Sequence, residues 1–258
     1  MKKKITIIAR VCVLAVGIAV GVYIPVSKSL GTFSEGNKDE YSVASTPALD
    51  NSPIAGKTYI FLGSSVTYGS AAEGESFVDF LEKRDGIKPI KEAVSGTCLV
   101  DNSDKSYVSR LKKLDKNIKP DAFICQLSTN DATKKKPLGK VSEGFQDEDF
   151  NTNTVAGAIE YIVSYVNDTW NCPIIFYTGT KYNSAQYEKM VKLLYEVQDK
   201  WGIIILDLWN DEDMNAVSEE DYKLYMANGI HPTRAGYRDW WFPKFEKLLY
   251  TVGENYDG

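Results

Sequence analysis

Apolar and polar positions follow two patterns along this chain, and these patterns predict its main elements. Short apolar runs, closed by small or polar residues, predict buried strands at 58–62, 89–94, 122–127, 174–177 and 203–206. Between these runs, apolar residues recur at helical spacing and predict helices over 76–83 and around Leu111, Ile159 and Leu194. Strands that alternate with helices indicate an α/β fold in which a five-stranded parallel sheet is covered on both faces.

The first 26 residues follow a different pattern. Lys2-Lys3-Lys4 precede an apolar stretch that is interrupted only by Arg10, which is typical of an export signal or an uncleaved membrane anchor. The nearest small-residue cleavage motif, Val43-Ala44-Ser45, lies far from this stretch, and we therefore favour a signal-anchor over a cleaved signal peptide. Either interpretation predicts a folded domain outside the cell, tethered to the cell membrane through residues 1–26 only or secreted.

Residues 27–53 are rich in Ser, Gly, Asn, Asp and Pro. Such a composition predicts a flexible linker. The folded domain is therefore expected to cover residues 54–258.

Composition narrows the class of partner. The chain is 43% hydrophobic and 25% charged, as a globular protein with a full core is. Its net charge of -5 argues against nucleic acid, whose recognition usually needs a basic face. With one histidine, no C-x-x-C pair and an odd set of cysteines beyond the N-terminal segment (Cys98, Cys125 and Cys172), we expect no metal site and no disulfide framework.

Four residues with complementary chemistry are predicted to follow different strands. Ser65 follows the first strand, Gly96 the second and Asn130 the third, while the only histidine, His231, follows the last strand and opens the C-terminal helix. Because ligands of parallel sheets bind beyond the carboxyl ends of the strands, these residues are expected to meet there. Each alone is more simply a turn, a helix cap or a structural residue. Together they fit acyl transfer, in which a serine attacks, a histidine takes its proton and amide groups hold the oxyanion.

The residues around these positions resemble the SGNH hydrolases, the GDSL-type esterase and lipase superfamily, over about residues 57–249. Gly63-Ser64-Ser65-Val66-Thr67-Tyr68-Gly69 is similar to the family's Gly-Asp-Ser-x-Thr-x-Gly block, with serine in place of aspartate. Ser128-Thr129-Asn130-Asp131 resembles its Gly-x-Asn-Asp block, and Asn228-Gly229-Ile230-His231 resembles its Asp-x-x-His block.

The resemblance implies a flavodoxin-like, three-layer α/β/α sandwich and no cofactor. It implies that Ser65 rather than Ser64 is the nucleophile and that His231 is the base. It also implies an oxyanion hole formed by the backbone N–H groups of Ser65 and Gly96 and the side chain of Asn130.

The family's triad acid stands three residues before the histidine, where this chain has Asn228. In a serine protease, the change from acid to amide costs about four orders of magnitude in rate because it favours the wrong histidine tautomer. Three accounts compete. In the first, Asn228 presents its side-chain oxygen to the imidazole. In the second, another group, a backbone carbonyl or a carboxylate such as Asp207 or Asp211, orients the ring. In the third, the Asn228-Gly229 dipeptide deamidates to aspartate.

Substrate clues are weaker than the catalytic ones. Tyr182 and Trp209 follow the fourth and fifth strands, where they would either stack on a sugar face or pack into the core. The sequence has no broad apolar lid helix of the kind that would indicate a long-chain lipase. Family analogy and the expected location favour a small acyl group, such as acetyl, on an extracellular or cell-surface ester such as a glycan.

Two other functions remain open from the sequence. The replacements at Ser64, Ser128 and Asn228 favour a catalytically weakened or inactive hydrolase scaffold that binds glycans at the surface. An anion- or nucleotide-binding module is disfavoured because the turn at 63–69 has neither a phosphate-loop lysine nor a dinucleotide glycine fingerprint.

Overall fold

The computed structural model describes residues 34–256, which contain a five-stranded parallel sheet. Every neighbouring pair of strands is parallel, and the strand order is β2-β1-β3-β4-β5. The strands are β1 (Thr58–Gly63), β2 (Lys88–Ala93), β3 (Ala122–Gln126), β4 (Ile174–Tyr177) and β5 (Ile204–Leu206). These bounds confirm the five predicted strands, with ends that differ by one residue at most.

Nine α-helices lie within the described residues 34–256. They are α1 (Ser65–Tyr68), α2 (Phe77–Asp85), α3 (Tyr107–Leu111), α4 (Thr129–Thr133), α5 (Val155–Thr169), α6 (Ala185–Trp201), α7 (Glu212–Asn215), α8 (Glu219–Tyr225) and α9 (Phe242–Tyr256). A π-helical turn, Gly236–Trp241, leads directly into α9. Three of the helices that cover the sheet begin at side-chain caps: the Ser76, Thr154 and Ser184 hydroxyls accept backbone N–H groups of α2, α5 and α6.

Both faces of the sheet are buried, which makes the architecture a three-layer α/β/α sandwich. Alternate residues of β1 point to opposite sides: Ile60 joins the core beneath α3, α5 and α6, whereas Phe61 joins the core beneath α2 and α9. The central strands β1, β3 and β4 are buried on both faces and are apolar at nearly every position, which explains why they were visible as continuous runs in the sequence. The predicted α/β fold is confirmed.

The chain between Ser34 and Pro53 differs from the predicted flexible linker. It forms three short 3₁₀ turns, Glu35–Asn37, Asp39–Tyr41 and Val43–Ser45, that pack on the domain. Asn37 is 6% exposed and hydrogen bonds to Ala71 and Arg234. The structure therefore corrects the linker prediction for residues 34–53, because a composition poor in apolar residues does not reveal a segment that is held by polar contacts.

The predicted signal-anchor at 1–26 and the first linker residues, 27–33, lie outside the described residues. Within 34–256, no helix combines the length and the hydropathy that a membrane span requires.

Phe77 tests the core between the sheet and α9. Its ring is fully buried and stacks on Phe245 at a centroid distance of 3.7 Å. We expect Phe77→Ala to lower the free energy of unfolding by about 3–5 kcal/mol, the usual cost of such a cavity. Leu49→Ala, at a side chain that is 37% exposed, should cost about 0.5 kcal/mol or less. Urea denaturation of both variants measures the difference, and equal losses would contradict this assignment of the core.

Candidate active site

The turn between β1 and α1 carries the predicted nucleophile. Gly63 ends the strand, and a Cβ at this position would lie 1.7 Å from Thr67 Oγ1, so only glycine lets the helix turn back so sharply. Gly69, with a φ of 88°, ends the short helix in the left-handed region. Ser65 is thereby held at the first position of α1, where a backbone N–H has no acceptor within the helix.

Ser65 and the only histidine of the chain are brought into contact. Ser65 Oγ lies 2.8 Å from His231 Nε2, although the two residues are 166 positions apart in the sequence. The serine is 8% exposed and the histidine is partly buried. This is the contact that a serine nucleophile and its base require.

The sequence predicted that His231 directly follows the last strand, and the structure corrects this. Two short helices, α7 and α8, intervene after β5. An antiparallel bridge between Met226 and Pro232 closes the loop that carries the histidine, and Ala227 N–H donates to the His231 carbonyl at 3.0 Å. The histidine is thus presented by a closed loop before the C-terminal helix.

Asn228 lies at the other ring nitrogen of the histidine. Its Oδ1 accepts the backbone N–H groups of Ile230, at 3.0 Å, and of His231, at 3.1 Å. These two donors identify the atom as the amide oxygen. The same oxygen lies 3.0 Å from His231 Nδ1, which must therefore carry the proton and leave Nε2 free to accept from Ser65.

This geometry bears on the three accounts of the missing acid. The structure agrees with the first account, in which Asn228 presents its side-chain oxygen to the imidazole. It does not agree with the second, because the Asp207 carboxylate accepts hydrogen bonds from Thr178, Tyr195 and backbone groups, while that of Asp211 binds Lys244 and the Met214 N–H. Deamidation at Asn228-Gly229 stays a hypothesis, which intact mass and peptide mapping of fresh and aged protein would test.

Burial sets the protonation state of the histidine. Desolvation holds the pKa of His231 below its usual value because the protein removes water from the charged form. The partner at Nδ1 is a neutral amide, which does not offset this effect as a carboxylate would. The imidazole is therefore neutral at pH 7 and able to take a proton.

Asn130, the predicted oxyanion donor, is held next to the nucleophile turn by a directional network. Gln126 Oε1 accepts Ser64 N–H at 2.9 Å and the Ser64 hydroxyl at 3.2 Å. Since its proton points to Gln126, Ser64 Oγ accepts from Asn130 Nδ2 at 3.1 Å. One amide N–H of Asn130 is thus used for positioning, and the second remains as a donor.

Gly96 lies in the turn that follows β2, with a φ of 79°. The turn is tied to the nucleophile loop by a 2.6 Å hydrogen bond between Ser95 and Ser70 hydroxyls, and Ser70 N–H donates to the Ser65 carbonyl. Lys134 Nζ donates to the Gly96 carbonyl at 2.6 Å. Gly96 therefore belongs to the same edge of the sheet as Ser65 and Asn130.

Asp131 lies in the same short helix as Asn130 and connects it to the chain that follows the Gly96 turn. Its fully buried carboxylate accepts Leu99 N–H at 2.8 Å and Val100 N–H at 3.2 Å. Burial nevertheless raises the pKa of Asp131, because these hydrogen bonds only partly replace water. The residue acts on the site by fixing two loops.

The predicted sugar-stacking residues pack together instead. Trp209 is 5% exposed, and its ring lies 5.4 Å from that of Tyr182 in an edge-to-face arrangement. Tyr182 is partly buried and also contacts Tyr187 at 5.2 Å. Tyr182 still borders the site, because its Cβ lies 3.9 Å from the Cβ position of Gly229. Trp209 has no open face to offer a ligand, and its proposed stacking role is corrected.

Gln126 is a residue of the site that the sequence analysis missed. It was included in a buried apolar strand, and the structure places its amide at the centre of the Ser64 network. The available signal was a long polar side chain at the end of a run that is otherwise apolar, since buried polar groups need partners.

No group of three or more His, Cys, Asp or Glu side chains in the described part of the chain is arranged to hold a metal ion. Cys98, Cys125 and Cys172 are free thiols, and burial raises the pKa of Cys98 to about 11.

The fold and this site define an α/β protein with a serine–histidine pair at the carboxyl edge of a parallel sheet. Residues 61–238 match the GDSL-like Lipase/Acylhydrolase family, to which the chain therefore belongs. Membership in this family supports hydrolase activity, and it confirms the resemblance inferred from the sequence blocks. No curated protein matches the chain significantly in sequence.

Solved structures share the fold. A protein from Lactobacillus plantarum is 18% identical with a TM-score of 0.63, and the match covers 77% of this chain and 98% of that one. A GDSL-like lipase from Bacteroides ovatus is 18% identical with a TM-score of 0.56, covering 76% and 99%. A protein assigned to the lipolytic G-D-S-L family from Desulfitobacterium hafniense is 18% identical with a TM-score of 0.57, covering 75% and 99%. At these identities the likeness is one of fold.

Replacing the amide at the acid position tests how the histidine is oriented. Asn228→Asp should raise kcat/KM by about ten- to a thousandfold, part of the cost that the reverse change has in a serine protease. The carboxylate should also raise the pKa of His231, because it stabilises the imidazolium. Since the reaction needs neutral imidazole, the acid limb of the pH–rate profile should then move to higher pH.

The profile of kcat/KM against pH measures both effects on an ester substrate. Asn228→Ala serves as the control, since it removes the oxygen without adding charge and should lower the rate. An unchanged profile and rate in Asn228→Asp would show that Asn228 does not act on His231.

Proposed function

We propose that this protein is a serine ester hydrolase that removes a small acyl group, such as acetyl, from a polar extracellular or cell-surface substrate such as a glycan. The observation that carries the proposal is the 2.8 Å contact between Ser65 Oγ and His231 Nε2, with Asn228 Oδ1 at the opposite ring nitrogen. The domain acts at the membrane surface or after secretion, according to the fate of residues 1–26.

The reaction follows from this arrangement. As Ser65 Oγ bonds to the carbonyl carbon of the ester, its proton passes to His231 Nε2, and the carbonyl oxygen becomes an oxyanion. The backbone N–H groups of Ser65 and Gly96 and the free N–H of Asn130 Nδ2 stabilise that charge. The imidazolium then gives its proton to the leaving alcohol, an acyl-enzyme remains, and water attacks it with His231 again as the base.

The chemistry of the rim supports a polar substrate. Ser95, Lys134 and Asn228 are exposed around the Ser65–His231 pair, and each carries a hydrogen-bonding group. A long acyl chain would need a broad apolar surface, whereas a short acyl group on a hydroxyl-rich carrier suits polar surroundings. The choice of a glycan rests on the expected location of the domain and on family analogy.

The identity of the nucleophile is tested with adjacent serines. Ser65→Ala should abolish hydrolysis of p-nitrophenyl acetate and labelling by a fluorophosphonate, because both need its hydroxyl. Ser64→Ala keeps the nucleophile but loses the anchor of Asn130, so labelling should persist with kcat reduced by about tenfold, a small part of what loss of an oxyanion donor costs. If Ser64→Ala alone abolished labelling while Ser65→Ala retained it, the assignment would be wrong.

The same probe separates an enzyme from an inactive glycan-binding scaffold. A fluorophosphonate that labels the wild-type chain stoichiometrically supports the hydrolase. A folded wild-type chain that neither reacts with the probe nor hydrolyses acylated sugars would exclude it. A panel of acylated sugars and short-chain esters then identifies the substrate class.

A further inference from the structure

Two separate loops carry the two sides of the proposed reaction. The nucleophile loop, residues 69–76, follows the helix that bears Ser65, and the histidine loop, residues 226–236, bears His231. A single hydrogen bond between Ser65 and His231 does not fix the distance between the two loops, so other contacts must hold them in place. The segment at residues 36–43, which we call the clasp, lies against both loops.

Asn37 bridges the loops with a single amide group. Its Nδ2 donates to the Ala71 carbonyl of the nucleophile loop at 2.7 Å, and its Oδ1 accepts the Arg234 N–H of the histidine loop at 2.9 Å. The side chain is buried, so water does not compete for either hydrogen bond. A rigid, planar group of fixed length therefore sets the spacing between the loops.

Arg234, three residues after His231, also connects the histidine loop to the nucleophile loop, in this case by ion pairs. Its Nη1 donates to the Asn37 carbonyl at 3.0 Å, and its Nη2 lies 3.0 Å from Glu73 and 3.2 Å from Glu75 on the nucleophile loop. The clasp closes this network, since Val43 N–H donates to Glu75 Oε2 at 2.9 Å. The guanidinium is largely buried, which strengthens such pairs relative to exposed ones.

The clasp also fits the histidine loop sterically. A Cβ on Gly36 would lie 2.0 Å from the Leu224 carbonyl and 2.4 Å from Thr233 Oγ1. Only glycine therefore allows the chain to approach this closely.

We propose that the clasp is a positioning element of the hydrolase, in which Asn37 and Arg234 hold His231 at bonding distance from Ser65. This inference rests on the proposed function of that pair. It assigns a role in activity to the segment that joins the predicted membrane anchor to the domain. Cleavage at Val43-Ala44-Ser45 would remove the clasp, so the active form is the chain that retains residues 36–43.

The test compares Asn37→Ala, which removes both bridging bonds, with Lys38→Ala in the full-length chain in detergent. Lys38 is the matched control, because its exposed side chain pairs with neighbouring Glu35 and contacts neither loop by a hydrogen bond or ion pair within residues 34–256. Fluorophosphonate titration counts the active sites, and kcat is expressed per titrated site. We expect Asn37→Ala to lower this kcat by about ten- to a hundredfold at unchanged KM, as misplacement of a catalytic group does, and Lys38→Ala to match the wild type.

A second readout uses the single histidine. Because His231 is the only one, its ring nitrogens give unambiguous NMR signals in a chain without a histidine tag. In the wild type these should report the Nδ1–H tautomer with Nε2 accepting a hydrogen bond from Ser65, and in Asn37→Ala the Nε2 signal should shift because that hydrogen bond is lost.

The outcomes are separable. If Asn37→Ala only reduces the number of titratable sites, with wild-type kcat per site, its role is in folding and the clasp proposal is overturned. If the wild-type chain is itself inert to probe and ester, the proposed function fails, and the clasp is judged by NMR alone. Unchanged ring signals in Asn37→Ala would then reject it.

Discussion

The hydrogen bond between Ser65 and His231 is the contact on which the site depends most, because the fold must bring together two residues that are 166 positions apart. Serine is fixed by a strand–helix turn in the middle of the sheet, where β1 has neighbours on both sides. Histidine comes from a loop that no strand supports directly. A contact of this kind holds only if the imidazole is neutral, has its proton on Nδ1 and is kept at the correct height above the sheet. Burial keeps the imidazole neutral, Asn228 places its proton on Nδ1, and the contacts around Arg234 bear on its height.

In the proposed reaction, an amide in place of the triad acid changes the balance between the two proton transfers. Asn228 Oδ1 selects the tautomer as a carboxylate would, but it brings no full charge to stabilise the imidazolium. Burial lowers the pKa of His231, and no charged partner within residues 34–256 offsets that effect. A weaker base takes the serine proton less readily, which slows attack. Its conjugate acid, however, gives the proton to the leaving group more readily. In the proposed reaction, the replacement therefore penalises formation of the tetrahedral intermediate more than its collapse.

The sequence was sufficient to predict the sheet and the meeting of Ser65, His231 and Asn130 at its edge, because both predictions depend on local signals. Strands buried on two faces are apolar throughout, and Ser65, Asn130 and His231 stand in recognisable blocks. What was missed depends on contacts between distant segments. Nothing near Asn37 shows that its amide meets Ala71 and Arg234, and nothing near Trp209 shows that Tyr182 covers it. Polar composition predicted a linker at 34–53 because it records the lack of apolar burial and not the hydrogen bonds that replace it.

The departures from the family blocks share one physical consequence. Ser64 replaces the aspartate of the nucleophile block, and Asn228 replaces the aspartate of the histidine block. Two carboxylates of the family pattern are therefore absent at these positions. At each of these positions a side-chain oxygen still accepts a hydrogen bond: Ser64 accepts from Asn130, and Asn228 accepts from the imidazole. Fewer negative charges near an oxyanion lower the electrostatic cost of forming it. In the proposed reaction, this offsets part of the lost support for the imidazolium, because Ser64 orients the Asn130 donor without opposing the developing charge.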